Sequence, residues 1–226
     1  MKSILCRNAL KIIKSFPQFR KKKSGVSRVQ LKMTWPHGKP LNFPAPLPGE
    51  YSLRTYRAGD GKGYVRLMRD AGFDAWSEKE LTAVLGKSLP GGIFFVEHAR
   101  SKTIVATAAA LHNPTDEHPF GGELGWVAVD PEHRGKGLGY APCAAATKKF
   151  IDCGYKDVRL LTDDFRLPAI KIYLKLGWEP CYFRPDISYR WSEVYEIINR
   201  TRSRPERENH QDIARGGRNF PGRNGF

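Results

Sequence analysis

The stretch Val127-Ala-Val-Asp-Pro-Glu-His-Arg-Gly-Lys-Gly-Leu-Gly139 constrains the rest of the chain most, because an apolar strand, a glycine-rich turn and a helix start follow one another without a break. Glycines at 135, 137 and 139 let the backbone approach a ligand closely, and the first turn of a helix leaves amide N–H groups without intrahelical partners. An anion placed there collects several donors at once, and a pyrophosphate is the natural guest. A plain tight strand-to-helix turn would use the same residues, so the wider spacing has to discriminate. A nucleotide P-loop requires Gly-Lys-Ser/Thr, whereas Gly135-Lys136-Gly137 runs into Leu138. A G-x-G-x-x-G dinucleotide turn starting at Gly135 requires glycine at 140, which is Tyr140.

A chain of 226 residues has room for one core of ordinary domain size plus tails. No apolar run approaches the roughly 18 residues of a membrane span. The net charge of +15 is unevenly placed. Residues 1–50 carry eleven Lys/Arg against the single acid Glu50, and residues 200–226 carry seven Arg against three acids. Between them, residues 51–199 hold 20 bases and 19 acids, so the basic character belongs to the arms and says nothing about the chemistry of the core. Cys6, Cys143, Cys153 and Cys181 form no C-x-x-C pair and have no histidine at ligand spacing. Disulfide frameworks and metal sites are therefore not expected, and a reducing, cytoplasmic setting is.

In chain order, Leu5, Ala9, Ile12, Ile13 and Phe16 recur at helical spacing among Lys2, Arg7, Lys11 and Lys14, with Arg20 to Lys23 behind them. A solvated extension, a membrane-surface or nucleic-acid arm and an organellar transit segment all fit this basic amphipathic pattern. Pro36, Pro40, Pro44, Pro46 and Pro48 then read as an extended linker, so residues 1–49 are expected to be an extension and the folded domain to start near Tyr51. Strands are predicted at 51–57, 93–97, 103–111, 123–129 and 158–161, with closing strands at 181–182 and 188–191. Helices are predicted at 61–71, 77–85, from about Gly139 to Cys153, and at 168–176. Ser77 with Glu80 forms a capping box and Gly177 a left-handed C-cap. This order gives an α/β (α+β) domain over residues 50–199 whose sheet is largely antiparallel. Residues 200–226, rich in Arg and Gly, are expected to form a disordered tail.

The pattern V-x-V-x-P-x-x-R-G-x-G-L-G resembles the acetyl-CoA signature of the GNAT N-acetyltransferase superfamily. Thr162-Asp-Asp-Phe-Arg-Leu-Pro-Ala-Ile-Lys-Ile-Tyr173-Leu-Lys-Leu-Gly177-Trp178 resembles its second signature, an A-I-x-x-Y-x-x-x-G-F helix and strand. The resemblance spans about Tyr51 to Trp191. It implies a splayed pair of central strands with acetyl-CoA in the gap. The backbone of Val127, Ala128 and Val129 would hold the pantetheine arm and polarise the thioester carbonyl. Arg134, Gly135, Lys136, Gly137, Leu138 and Gly139 would hold the pyrophosphate. Tyr173 matches the tyrosine that protonates the leaving thiolate, and Glu123 resembles the glutamate base of some members. Glu123 precedes Val129 by six residues, which on a regular strand places both on one face. Two positions depart from the family pattern. Arg166 stands where asparagine is common and would reach the cofactor's phosphates, and Glu132 opens the glycine signature in place of Gln or Arg.

Two function classes follow. One is an acetyl-CoA-dependent N-acetyltransferase acting by direct transfer to an amine-bearing small molecule or peptide, selected by the helices between 61 and 88 and the loop 112–122. The other is an acyl-CoA-sensing binding module whose basic arms hold nucleic acid or anionic membrane. His112, His118 and His133 are alternative bases, each with no partner visible in the sequence, and Cys143 and Cys153 read as small core hydrophobes.

Overall fold

The structure, a computed structural model, describes residues 29–41 and 45–202. The basic segment over residues 1–23 and all but the first three residues of the Arg/Gly-rich tail lie outside them. The elements run β1 (Leu31–Thr34), β2 (Tyr51–Thr55), α1 (Gly61–Asp70), α2 (Glu78–Lys87), β3 (Ser88–His98), β4 (Ile104–His112), β5 (Gly122–Val129), a 3₁₀ turn (Pro131–His133), α3 (Tyr140–Asp152), β6 (Val158–Thr162), α4 (Leu167–Leu176), β7 (Glu179–Pro180) and α5 (Pro185–Arg202). Seven strands form one sheet in the order β2-β3-β4-β5-β6-β1-β7. Every pairing is antiparallel except β5 with β6.

Strand β4 lies between β3 and β5 and is buried on both sides, which is why Ile-Val-Ala-Thr-Ala-Ala-Ala-Leu is apolar but for Thr107. Ala108 and Ala110 join Cys143 and Phe150 of α3, Tyr173 of α4 and Trp191 of α5 in one core. Ala109 and Leu111 join Tyr64 and Leu67 of α1 and Val84 of α2 in a second core on the opposite face. Local signals set several element ends. The Ser77 side chain accepts from the Lys79 amide while the Glu80 carboxylate accepts from the Ser77 amide, closing the expected capping box at α2. Gly177 ends α4 at φ 107°. Pro142 falls at the third residue of α3, where its missing N–H would have had no intrahelical partner.

Three expectations are corrected. The fold does not start near Tyr51, because Leu31–Thr34 pairs with both β6 and β7 and sends Leu31 and Met33 into the core. Residues 188–191 are helix rather than strand, since Ile187, Trp191, Val194 and Ile198 recur at helical spacing along one buried stripe of α5. The strand expected at 181–182 lies two residues earlier, at Glu179–Pro180.

Candidate active site

Strand β5 pairs with β6 only over Gly122–Leu124 against Val158–Leu160. Beyond that point β5 stays with β4 as far as Val129, while β6 stays with β1 as far as Thr162, so the two parallel strands part. The separation coincides with a bulge. Ala109 pairs with Gly125 and Thr107 with Ala128, which leaves Trp126 and Val127 opposite the single residue Ala108. Trp126 adopts φ 53°, a left-handed conformation unusual for a bulky side chain, and its ring packs against Trp76 at 5.5 Å and Phe73 at 6.0 Å.

The bulge reverses the facing of everything after it. Glu123 pairs with Leu111 and faces the α1/α2 side, whereas Val129 pairs with Ala106 and faces the α3 side. The expectation that these two side chains share a face is therefore wrong, because the even offset holds only on a regular strand.

At the open end of the gap, residues 130–139 carry the chain into α3. Asp130 anchors the entrance, with one carboxylate oxygen accepting from the Glu132 amide and the other from Arg66 Nη1 at 3.1 Å. Gly135 and Gly137 sit at φ 79° and 73°, conformations that penalise any side chain by about 1–2 kcal/mol. Gly139 is needed for space, since a Cβ there would lie 3.0 Å from Ile172 and 3.2 Å from Val129. No side chain caps α3 among the described residues, but Tyr140 donates its amide to the Gly137 carbonyl at 3.1 Å and Pro142 has none to give, so the first turn offers an anion the Ala141 amide and the loop before it offers the rest. Leu138 is buried and Arg134 is exposed, with no hydrogen bond or ion pair on its side chain among the described residues.

The Lys136 ammonium is turned to the β2 edge instead. It donates to Tyr51 Oη at 2.8 Å and lies 3.9 Å from Glu50, and the Tyr51 hydrogen bond holds its pKa above the usual lysine range. Arg166 caps the start of α4. Its Nε donates to Asp163 at 3.1 Å, and its guanidinium lies 4.7 Å over Phe73, which itself packs on Trp126. Arg166 is thus stacked at the level of the bulge, where β5 and β6 separate, three residues short of the end of β5.

The two proton-transfer candidates lie on opposite faces of the sheet, beside the gap. Tyr173 on α4 is buried among Cys143, Ile170 and Leu176, and burial pushes its pKa upward, so the hydroxyl stays protonated. Glu123 accepts from Asn113 Nδ2 at 2.7 Å and is 3.5 Å from Arg159 Nη2. Arg159 is 4% exposed and also donates to the Asn113 carbonyl at 2.6 Å, while its Nη1 has no hydrogen-bond partner among the described residues. A Cβ on Gly121 would run into that guanidinium.

Sequence reasoning missed Arg159 and Asn113. The available signal was one arginine inside the apolar strand Val-Arg-Leu-Leu, a charge that has to find a partner across the sheet. The three histidines are engaged elsewhere: His112 with Tyr155 at 2.9 Å, His118 with Asp157 at 2.7 Å and His133 with Tyr51 at 2.9 Å. Among the described residues no cluster of His, Cys, Asp and Glu could hold a metal, and no helix is long and apolar enough to cross a membrane.

A mixed sheet with helices on both faces, opened between two parallel strands beside a glycine loop, is the N-acetyltransferase type of fold. A GCN5-related N-acetyltransferase from Sphaerobacter thermophilus superimposes with a TM-score of 0.55 at 20% identity, over 68% of this chain and 50% of that one. A tandem GNAT protein from the clavulanic acid biosynthesis pathway gives 0.50 at 20% identity, over 68% and 51%. The sequence profile of the Acetyltransferase (GNAT) family matches residues 62–178, more than half of the chain, and the chain belongs to that family. Among curated relatives, the mycothiol acetyltransferase of Thermobispora bispora is 29% identical over 180 residues, covering 74% of this chain and 60% of the relative. That of Pseudarthrobacter chlorophenolicus is 30% identical over 142 residues, covering 59% and 44%. The chain therefore spans about half the length of these relatives.

Proposed function

We propose that this protein is an acetyl-CoA-dependent N-acetyltransferase that transfers the acetyl group directly to an amine in a ternary complex. The observation that carries this reading is the parting of β5 from β6 beside a glycine loop that leads into an uncapped helix N-terminus. Bound acetyl-CoA would supply the activated acetyl thioester. The backbone of Val127 to Val129 lacks a strand partner on the β6 side and receives the pantetheine arm as an added strand would be received. An amide at the bulge, near Val127, points a donor at the thioester oxygen as it gains charge. The amides of Gly135 to Gly139 and the unpaired Arg134 hold the pyrophosphate, with Lys136 contributing its backbone. Arg166, in its stacked position, lies beside the reacting end rather than the phosphates.

Attack of the neutral amine on the thioester carbon forms the C–N bond and breaks the C–S bond. Glu123, directly or through one water, takes the proton the amine loses, and the Tyr173 hydroxyl gives one to the departing thiolate. Burial that keeps Tyr173 protonated suits a donor. The acceptor class suggested by the relatives' name is the mycothiol system, and amines of that class belong first in any panel.

The test is release of free thiol from acetyl-CoA by the full-length chain across an amine panel. Turnover with at least one amine is expected, and Tyr173→Phe should lower kcat about 100-fold. Absence of turnover with every amine, together with no stabilisation of the protein by CoA, would refute the function. Full activity of Tyr173→Phe would remove the acid role alone.

A further inference from the structure

The proposed mechanism uses the front of the glycine loop, where amides meet phosphate, and leaves its back unexplained. On that side one tyrosine gathers two loop residues. Lys136 Nζ is 2.8 Å from Tyr51 Oη, and His133 Nδ1 is 2.9 Å from the same oxygen. An ammonium has only protons to give, so Tyr51 Oη accepts from Lys136. The same hydroxyl hydrogen-bonds His133 Nδ1, as donor when His133 is the Nε2–H tautomer and as acceptor when it is the Nδ1–H tautomer. The Tyr51 ring is buried and packs in one cluster with Leu138. It meets the His133 ring edge-on at 5.7 Å, and the His98 ring completes a triangle, 5.3 Å from Tyr51 and 5.2 Å from His133. Glu50 lies 3.9 Å from Lys136 and 4.0 Å from His98.

Tyr51 stands at the start of an edge strand far from the β5–β6 gap in the sheet order, yet it touches the loop on both sides of Gly135. Gly135 and Gly137, which flank Lys136, are both left-handed, and a Cβ at either would stand in open space; between the anchored Asp130 and the buried Leu138, the His133 and Lys136 side chains tie this open part of the loop to β2.

We infer that Tyr51 is a positioning residue for cosubstrate binding: its hydroxyl pins His133 and Lys136 and thereby holds the loop amides aimed at the pyrophosphate. This rests on the reading that the loop receives the pyrophosphate of acetyl-CoA. The Lys136 ammonium serves as a tether to β2, and the loop's phosphate contacts come from its amides and Arg134. Tyr51→Phe keeps the buried ring and removes only the hydroxyl, so it loosens the loop without emptying the core.

The experiment compares two acetyl donors, acetyl-CoA and phosphate-free acetyl-pantetheine, in wild type, Tyr51→Phe, Lys136→Met and the double variant. Tyr51→Phe should raise KM for acetyl-CoA about tenfold with kcat unchanged, as expected for lost hydrogen bonds to a charged group, and leave kcat/KM for acetyl-pantetheine unaltered. Lys136→Met should behave alike, and the double variant should lose no more than the worse single variant, because both break one tether. Equal losses with both donors would reduce Tyr51 to a structural residue, and losses that multiply in the double variant would mean that Lys136 contacts phosphate itself. Either result overturns the inference. If wild type fails to distinguish the two donors, the pyrophosphate assignment of the loop fails instead.

Discussion

The Glu123–Arg159 pair offers the sharpest test of how the site is held. Glu123→Gln removes a charge 3.5 Å from Arg159 Nη2 while keeping the side-chain shape. At an effective dielectric of about 20 the gross attraction across 3.5 Å is roughly 5 kcal/mol, and desolvation of the two groups cancels much of it. Removing one partner is costlier than the net worth of the pair, because the other stays charged in place. Arg159 is 4% exposed and already has one unpartnered nitrogen, so it cannot turn to water. Glu123 is 17% exposed, which moderates the loss to about 2–3 kcal/mol. Arg159→Met should cost a similar amount, and the double variant should cost less than the two singles together by at least about 1 kcal/mol, since neither charge is then stranded. Urea unfolding at neutral pH with constant m-values measures all three. Strict additivity would refute the argument, because it would mean that the two charges do not sense each other. In the same series Glu123→Gln should lower kcat about 100-fold, whereas an unchanged kcat would exclude Glu123 as the base.

Two further outcomes concern stability. Ser77→Ala removes the acceptor for the Lys79 amide and one half of the capping box at α2, and should lower stability by about 1 kcal/mol in urea melts, with kcat unaffected. Cys143, Tyr64 and Tyr173 are all pushed to higher pKa by burial. Each therefore keeps its proton in the folded state after the unfolded chain has lost it. Their contribution is full below about pH 8.5 and falls as pH rises, by about 1.4 kcal/mol per unit for each group beyond its unfolded pKa. The urea midpoint should start to drop near pH 8.5, and Cys143→Ala should delay the onset to about pH 10. An unchanged onset in that variant would show that the thiol is not the group responsible.

Much of the glycine loop and its flanking helices was legible in the sequence because the constraints there are local. Left-handed glycines at 135, 137 and 177, the Ser77 capping box and Pro142 in the first turn of α3 each depend on a few neighbouring residues and on backbone sterics that hold in any fold. The alternation of β2 and the apolar run of β4 likewise announced strands. Less was legible where the deciding partner is remote. Leu31 and Met33 alternate with Lys32 and Thr34 as a strand should, but only pairing with β6 and β7 draws them out of a basic, proline-bearing stretch. The buried stripe of α5 extends past Trp191 to Ile198, beyond the short window that made 188–191 resemble a strand.

The amino-acid sequence by itself determined the glycine loop, its helix and the family to which both belong, since backbone conformation at glycine and the orphan amides of a helix start are properties of the local chain. Tertiary structure alone decided the faces. A single extra residue at the Trp126 bulge, seen only against β4, turns Val129 away from Glu123. Strand pairing brings Arg159 beside that glutamate, and the edge strand β2 supplies Tyr51 to the back of the loop. Side-chain direction along a strand has a period of two, so one inserted residue reverses it, and the insertion is defined by the partner strand rather than by the strand that carries it.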